Sequence, residues 1–297
     1  MRQGPLQSES STPGALLRRL LAKEEPTLVP LVLDPLSARL AEAAGFEATY
    51  LGGGTLGYIT TATEANLSLD RMAQTVLDIR AASSLPLILD AQCGWGDAMH
   101  VRHSVRVAEA AGAAALEIED QLMPKRAHHH IGIEHLIPAD LMAAKIRVAV
   151  AARRDADTVI IARTNACRTD NLDEALRRAE LYRRAGADVL LILPKTPDEA
   201  IAIGRRIEGP LLYMMLKGVA SIGMSIRELG NFGYRIVLDA LTPFYARHRA
   251  LRLSYEALAK GLPDPTVVGD FEEETSHIHA AIDLETMLEI ERSSVER

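Results

Sequence analysis

The chain has 297 residues, of which 48% are hydrophobic and 25% charged, and its formal net charge is −7. This composition is that of an ordinary globular protein, and the negative charge argues against nonspecific nucleic-acid binding. No apolar stretch is long enough to cross a membrane, and the polar segment from Met1 to Pro13 lacks the apolar core of a signal peptide. The only cysteines, Cys93 and Cys167, form no disulfide framework, so we predict a cytoplasmic protein.

Short apolar runs alternate with longer amphipathic segments along most of the chain. The runs are continuous rather than alternating, which is typical of parallel strands buried on both faces. We predict eight strands, near Thr27–Leu33, Ala48–Leu51, Leu85–Asp90, Ala113–Glu119, Thr158–Arg163, Asp188–Leu193, Pro210–Met215 and Arg235–Asp239. The helical patterns between them are Pro35–Ala44, Ser68–Ser83, His100–Ala111, Pro138–Arg154, Leu172–Ala185, Pro197–Arg206 and Ser225–Asn231.

Eight β/α units within roughly 250 residues predict an α/β fold, the (β/α)8 TIM barrel. A doubly wound open sheet is the alternative, although it usually has fewer strands. The chain lacks a low-complexity linker, so residues 1–297 read as one barrel domain with a flexible N-terminus at residues 1–13. Two further helices, near Phe244–Lys260 and Glu272–Glu291, follow the last strand. Residues 262–297 therefore form a C-terminal helical extension that packs on its own barrel or reaches a neighbouring subunit.

Polar residues follow the predicted strands, at the barrel end where catalytic groups lie. Carboxylates that arrive from several strands suit Mg²⁺, an arginine offers a planar fork to a substrate carboxylate, and a glycine triplet offers free N–H groups to a second anionic oxygen. They predict a small anionic substrate chelated to a metal; structural ion pairs across the barrel mouth are the alternative. These residues are Gly52, Gly53, Gly54, Asp90, Gln92, Glu117, Glu119, Arg163, Asn165, Lys195 and Met214.

From about Leu31 to Gly261, these motifs resemble the isocitrate lyase and phosphoenolpyruvate mutase superfamily. Any one motif alone is weak, but the set is highly specific. The motifs are Asp34-Pro35-Leu36-Ser37-Ala38, Tyr50-Leu51-Gly52-Gly53-Gly54, Leu89-Asp90-Ala91 with Gly94-Trp95-Gly96, Ile118-Glu119-Asp120-Gln121 with Pro124-Lys125-Arg126, and Ile161-Ala162-Arg163-Thr164-Asn165.

The resemblance implies a barrel whose final helix is swapped between subunits of a homotetramer, a dimer of dimers. It also implies Mg²⁺, with Mn²⁺ as a substitute, and a 2-oxo or 2-hydroxy acid as substrate. By the same resemblance, Asp90 is a direct metal ligand, Glu119 binds the metal directly or through water, and Glu64 is the acid on the loop after strand two.

Further roles follow from the resemblance. Arg163 and the amides of Gly53 and Gly54 match the groups that bind the substrate carboxylate, with Asn165 beside Arg163. Tyr50 matches a tyrosine beside the reacting atoms. The loop after strand four would close over the site and exclude water. It contributes Lys125 and His129 as catalytic residues.

The sequence departs from the family pattern in the acids at the barrel mouth. Where the family has Asp-x-Asp at strand three, this chain has Asp90-Ala91-Gln92. Gln92 can hydrogen-bond a metal-bound water but carries no negative charge. Glu117 stands where the lyases often have histidine, and we hypothesise that it restores the charge of the site. Lys195 is predicted to pair with Glu117 or to bind an anion, and a plain surface lysine is the equal alternative.

A second departure lies in the loop after strand four, which reads Lys125-Arg126-Ala127-His128-His129-His130. Ala127 replaces the cysteine that gives the lyase branch its proton donor, so His129 or His128 would have to supply the proton. Decarboxylation needs no proton donor as CO₂ leaves, because the metal stabilises the enolate. Ala127 thus favours decarboxylation over retro-aldol cleavage.

At the far end of the pocket, Lys195 and Met214 replace the Glu and Asn of the lyases that bind large polycarboxylates. Methionine fills apolar space, so the substrate is predicted to be smaller or more apolar than a tricarboxylate. The sequence therefore predicts a Mg²⁺-dependent carbon–carbon lyase or decarboxylase of a small carboxylic acid. The alternatives are a phosphonopyruvate-type C–P bond enzyme and a catalytically inactive ligand-binding homologue.

Overall fold

The computed structural model describes residues 11–267, 269 and 271–295 of the chain. Residues 1–10 of the predicted flexible N-terminus lie outside the described residues, and helix α1 begins at Pro13.

The strands form a closed barrel of parallel strands, which confirms the predicted fold. From the second strand to the eighth, each strand pairs in parallel with the next along the chain, and the eighth pairs with the first. A bridge between Leu31 and Tyr50 joins the first strand to the second and closes the ring. Within the described residues the strands are β1 (Thr27–Pro30), β2 (Thr49–Leu51), β3 (Leu87–Asp90), β4 (Ala115–Glu119), β5 (Val159–Thr164), β6 (Val189–Ile192), β7 (Leu211–Met215) and β8 (Tyr234–Asp239).

Helices surround the barrel and extend beyond its last strand. In the described ranges they are α1 (Pro13–Leu21), α2 (Pro35–Ala43), α3 (Gly53–Ile59), α4 (Leu69–Ala82), α5 (Ala98–Ala111), α6 (Ala139–Ala152), α7 (Ala166–Thr169), α8 (Leu172–Arg184), α9 (Pro197–Arg206), α10 (Ile226–Gly230), α11 (Thr242–Leu258), α12 (Phe271–Ala281) and α13 (Leu284–Ser294). No helix of the described chain is both long and apolar enough to span a membrane.

Successive strand residues enter two different cores, because strand side chains alternate between faces. Ile88 belongs to the core enclosed by the strands, whereas its neighbours Leu87 and Leu89 pack against the surrounding helices. Helix α1 lies at the N-terminal end of the barrel, where the Arg18 guanidinium bonds the Asp188 carboxylate at 3.0 Å. The C-terminal end of the barrel is therefore the end left to form a site.

The C-terminal extension differs from the prediction, which placed one helix over Glu272–Glu291. The structure has two helices, α12 and α13, because Asp283 adopts a left-handed conformation with φ of 57° between them. Helix α11, which follows β8, has no buried residue. Helix α12 contacts α2, where the Arg39 guanidinium donates a hydrogen bond to the Ala281 carbonyl at 3.1 Å.

Candidate active site

A cavity of about 170 Å³ lies at the C-terminal ends of the strands. Its volume is many times that of one buried water, so it can hold a small organic acid. Its walls combine acids, cations and aromatic groups on one side with apolar side chains on the other. The lining residues are Tyr50, Gly52, Gly54, Thr55, Tyr58, Glu64, Asp90, Lys125, His129, His130, Arg163, Arg168, Met214, Leu216, Ala240 and Leu241.

Asp90 ends β3, and two backbone amides hold its carboxylate. Its Oδ2 accepts a hydrogen bond from the Gly53 amide at 2.9 Å, and its Oδ1 accepts one from the Gln92 amide at 2.9 Å. The side chain of Gln92 is buried, and no group among the described residues bonds its Nε2. Gln92 thus supports Asp90 through its backbone.

Three carboxylates converge around Gly53 and Lys125. A Cβ placed on Gly53 would lie 3.2 Å from Asp90 Oδ2 and 3.4 Å from Glu64 Oε2, so a larger residue would press on the Asp90 carboxylate. The ammonium group of Lys125 bonds Oε1 of both Glu64 and Glu119. Burial disfavours the charge of Lys125, but the two carboxylates outweigh burial and raise its pKa above the ordinary value. A cation is thus stabilised at this point of the cavity.

The three acids fit a magnesium ion by their chemistry. Mg²⁺ prefers oxygen ligands and is usually bound by one or two carboxylates together with water and substrate. The position next to Glu64 and Glu119 already accommodates a positive charge. Among the described residues, no group of three or more His, Cys, Asp or Glu side chains is arranged so that it could hold a metal ion. A magnesium ion here would therefore take most of its oxygen ligands from water and substrate.

Arg163, near the end of β5, is bound by two glutamates of β4. Its Nη1 donates to Glu117 Oε1 at 2.8 Å, and its Nε lies 3.5 Å from Glu119 Oε2. Asn165 connects the two strands, since it accepts from Arg163 Nε at 3.1 Å and donates to Glu119 Oε2 at 3.3 Å. Within the described chain, Nη2 of Arg163 makes no hydrogen bond, which leaves this donor for a substrate.

The pKa values of the two glutamates of β4 are shifted in opposite directions. Burial and the nearby Asp90 carboxylate raise the pKa of Glu117 to about 8 despite the Arg163 guanidinium. Burial also acts on Glu119, but Lys125 and Arg163 outweigh it and lower the pKa of Glu119 to about 2. Glu119 is therefore the anionic member of the pair.

Several predicted binding residues have other partners in the structure. The Gly53 amide already bonds Asp90, which leaves the Gly54 amide, in the first helical turn where N–H groups lack helical partners, as the free donor. Lys195 was expected to meet Glu117 or an anion, but this is wrong. Its side chain is 47% exposed, lies outside the cavity lining and sits 3.9 Å from Glu199, because Arg163 already pairs with Glu117. Asn165 is buried behind the cavity wall and positions its neighbours.

Tyr50 and Met214 lie where the sequence predicts, in the cavity wall. Burial and the Asp90 carboxylate raise the pKa of Tyr50 well above its ordinary value, so the phenol stays protonated. Met214 joins Leu216 and Leu241 in the apolar side of the cavity.

The loop between β4 and α6 brings His129 to the cavity. Its Nε2 lies 3.2 Å from Glu64 Oε1, and its Nδ1 bonds Glu134 Oε2 at 2.9 Å. The other oxygen of Glu134 accepts from Arg168 Nη1 at 3.3 Å. His128 instead faces away, toward His135 at 3.3 Å, so of the two predicted proton donors, His128 and His129, only His129 reaches the cavity.

Four residues near the cavity have no role predicted from the sequence: Tyr58, His130, Glu134 and Arg168. The Tyr58 hydroxyl and His130 Nδ1 are 2.8 Å apart, and both side chains line the cavity with Arg168. For Arg168, the sequence offers one signal that could have indicated it: the residue follows Arg163, at a strand end, by five positions.

Comparison with known proteins gives one consistent result. The family model described as phosphoenolpyruvate phosphomutase matches residues 17–259. The chain is 38% identical to 2-methylisocitrate lyase of Aeropyrum pernix over 80% of this chain and 77% of that protein. It is 34% identical to oxaloacetate decarboxylase of Paraburkholderia xenovorans over 66% of each chain. A solved structure of phosphonopyruvate hydrolase complexed with oxalate and Mg²⁺ is similar with a TM-score of 0.82 and 28% identity, covering 97% of this chain and 100% of that one.

Proposed function

The chain belongs to the phosphoenolpyruvate phosphomutase family, and on this premise we propose that it is a Mg²⁺-dependent carbon–carbon lyase. Its substrate would be a small 2-oxo or 2-hydroxy carboxylic acid. The observation that carries the proposal is a small cavity lined by Asp90, Glu64, Lys125, Arg163 and His129, with Glu119 paired to Lys125 beside it.

Substrate binding would use groups that are already in place. Asp90, Glu119 and Glu64 would hold Mg²⁺, which when bound supplies positive charge to the substrate carboxylate and the oxygen on its second carbon. The free Nη2 of Arg163 and the Gly54 amide would donate hydrogen bonds to that carboxylate. These contacts fix the orientation of the substrate before its bond breaks.

Bond cleavage would leave an electron pair on the carbon next to the carbonyl, as an enolate. The Tyr50 hydroxyl, which stays protonated, donates a hydrogen bond toward the developing negative charge. His129 Nε2 then delivers a proton to the carbon, and water reloads the ring. Lys125 would pair with the substrate anion, and Mg²⁺ held by Glu64 and Glu119 would supply the positive charge that Lys125 gives these acids in the structure. The closed loop keeps bulk water away.

The apolar wall indicates what the rest of the substrate is like. Met214, Leu216 and Leu241 offer no donor to a third carboxylate. Hydrogen or a short alkyl group suits this wall, whereas a tricarboxylate would leave a buried charge unpaired. Decarboxylation of a 2-oxo acid is thus the reaction we place first, and cleavage of an alkylated malate second.

A substrate panel tests the proposal. Oxaloacetate, 2-methylisocitrate, 2,3-dimethylmalate and phosphonopyruvate are each incubated with the enzyme, with Mg²⁺ and with a chelator. We expect Mg²⁺-dependent release of a 2-oxo acid from one of the three carbon acids. Phosphate release from phosphonopyruvate alone would instead assign C–P chemistry, which the similarity to phosphonopyruvate hydrolase favours. Oxalate binding without turnover of any acid would identify a catalytically inactive, ligand-binding homologue. Gln92, which carries no negative charge, and Ala127, which has no proton to give, favour this alternative.

We further propose that the enzyme is a homotetramer built from dimers that exchange α11. This helix has no buried residue, and its Tyr255 and Leu258 are 65% and 74% exposed. An apolar groove lined by Leu33, Leu36 and Leu40 runs beside it and would receive the helix of a second copy. Residues 262–297, the C-terminal extension, would then follow the exchanged helix, and each subunit would keep a single barrel domain. Light scattering should show a tetramer that Leu258→Glu dissociates.

A reducing, cytoplasmic location is our proposal for the compartment. Cys93 and Cys167 are both buried and unpaired. Burial raises the pKa of the Cys93 thiol well above its ordinary value, which keeps it unreactive.

A further inference from the structure

The loop from Leu122 to Pro138 is fastened to the barrel by two buried charged residues. At the base of the loop, an antiparallel backbone β-bridge joins Gln121 to Leu136. Between these ends, Lys125 and Glu134 are buried and every other residue is exposed or half-buried. Burying a charge is expensive unless it is paired, so each of these two positions needs a partner. Lys125 contacts the acids already assigned to the site, whereas Glu134 contacts none of them.

Glu134 contacts two residues that line the cavity, His129 of its own loop and Arg168 of α7. Its carboxylate is completely buried; Oε2 lies 2.9 Å from His129 Nδ1, and Oε1 lies 3.3 Å from Arg168 Nη1. Burial raises the pKa of Glu134, but the hydrogen bond from His129 outweighs burial and lowers the pKa below its ordinary value. The residue is therefore an ionised carboxylate.

This contact determines which nitrogen of His129 faces the cavity. A carboxylate can only accept hydrogen bonds, so Nδ1 must be the donor to Glu134. The ring then directs Nε2 to the opposite side, where it lies 3.2 Å from Glu64 Oε1 at the cavity wall. A buried carboxylate that orients an imidazole in this way is a recurrent device in enzymes. Arg168 fixes the carboxylate in turn.

We propose that Glu134 is the positioning residue that holds His129 with Nε2 toward the reacting carbon. The inference rests on the function proposed above. It explains how the chain works with Ala127 in the loop, since Ala127 has no proton to give. The C–C bond breaks and leaves its electron pair on the enolate. His129, which reacts as the imidazolium, gives its Nε2 proton to the carbon and keeps its Nδ1 proton on Glu134. Water then returns a proton to Nε2 and leaves hydroxide. Glu134 itself transfers no proton.

Proton transfer can be measured without knowing the substrate. Pyruvate with Mg²⁺ in D₂O would exchange its methyl protons through the same enolate, and NMR follows the rate. We expect Glu134→Gln to slow this exchange by about 10- to 100-fold, the usual effect of losing an oriented acid–base group. Oxalate affinity should stay within about threefold, because oxalate needs no proton transfer. Glu134→Asp, which keeps the charge, should recover part of the rate.

A double-variant comparison separates positioning from a general structural role. His129→Gln should slow exchange at least as much as Glu134→Gln, and the double variant should be no slower than His129→Gln alone, because residues that act as a unit are not additive. Asp97→Asn is the matched control: Asp97 bonds His100 Nδ1 at 2.8 Å outside the cavity, and its loss should leave exchange unchanged.

The outcomes are distinguishable. If wild-type protein neither exchanges pyruvate nor turns over any acid, the proposed function fails and this inference fails with it. If wild type exchanges pyruvate and Glu134→Gln exchanges it equally fast, only the role of Glu134 is wrong. A double variant much slower than either single variant would also overturn the positioning role.

Discussion

Replacing Lys125 by methionine tests the charge arrangement of the site. The substitution keeps the apolar stem and removes an ammonium group buried between Glu64 and Glu119. Removing one partner of a buried ion pair costs about 3–5 kcal/mol, because the remaining charge stays buried without compensation. We therefore expect metal-free Lys125→Met to be markedly less stable than the wild type.

The expected loss can be expressed as a melting temperature. At about 2.1 cal/mol/K per residue, a chain of 297 residues has an unfolding entropy of about 0.6 kcal/mol/K. A loss of about 3–5 kcal/mol thus lowers the melting temperature by roughly 5–8 °C. Mg²⁺ should reverse most of this loss, since at 100 times its Kd a ligand adds about 2.7 kcal/mol. In wild type the ion must first displace the ammonium group, so its stabilising effect should be smaller.

Differential scanning calorimetry with Mg²⁺ and with a chelator measures both effects. Lys23→Met is the matched control, because Lys23 pairs with Glu47 at the surface, where the two side chains are 44% and 55% exposed. Such pairs contribute little, so this variant should melt with the wild type. The reasoning is refuted if chelated Lys125→Met melts within about 1 °C of wild type, or if Mg²⁺ stabilises both proteins equally.

Three further substitutions test other parts of the site. Asp90→Asn removes the charge of a proposed Mg²⁺ ligand and should weaken Mg²⁺ binding by at least about tenfold in calorimetric titration; unchanged affinity would show that Asp90 is not a ligand. Arg163→Lys keeps the charge but loses the planar fork, so kcat/KM should fall about 100-fold; equal kcat/KM would show that a point charge suffices. Asp120→Asn affects a buried carboxylate that accepts from Tyr182 at 2.7 Å and Arg178 at 3.0 Å, and urea unfolding should show a loss of about 3–5 kcal/mol. A loss below about 1 kcal/mol would mean that the network is replaceable.

The barrel could be predicted because all of its strands have the same kind of sequence. Each is a short run of apolar residues, as burial on both faces requires, and all eight occur where the pattern predicts them. The break at Asp283 was missed because the apolar pattern continues through it, and only the left-handed backbone conformation ends the helix.

The site could be predicted where its residues end strands, as Asp90, Glu119 and Arg163 do. Strand ends meet at one edge of a barrel whatever the details of packing. Glu134 and Arg168 could not be predicted in the same way, because they are 34 residues apart and meet only through the closed loop. The partner of Glu117 is Arg163 and not Lys195, and the spacing of these residues in the sequence does not reveal which cation it is.

The narrow attachment of the loop has a consequence for how such enzymes change during evolution. Since the bridge between Gln121 and Leu136 and two buried side chains hold the segment, the barrel does not depend on the identity of the remaining loop residues. New chemistry can then arise by exchanging one short insert while the inherited scaffold and its acids stay unchanged. The same property makes the segment from Leu122 to Pro138 a natural unit for grafting loops between members of the family.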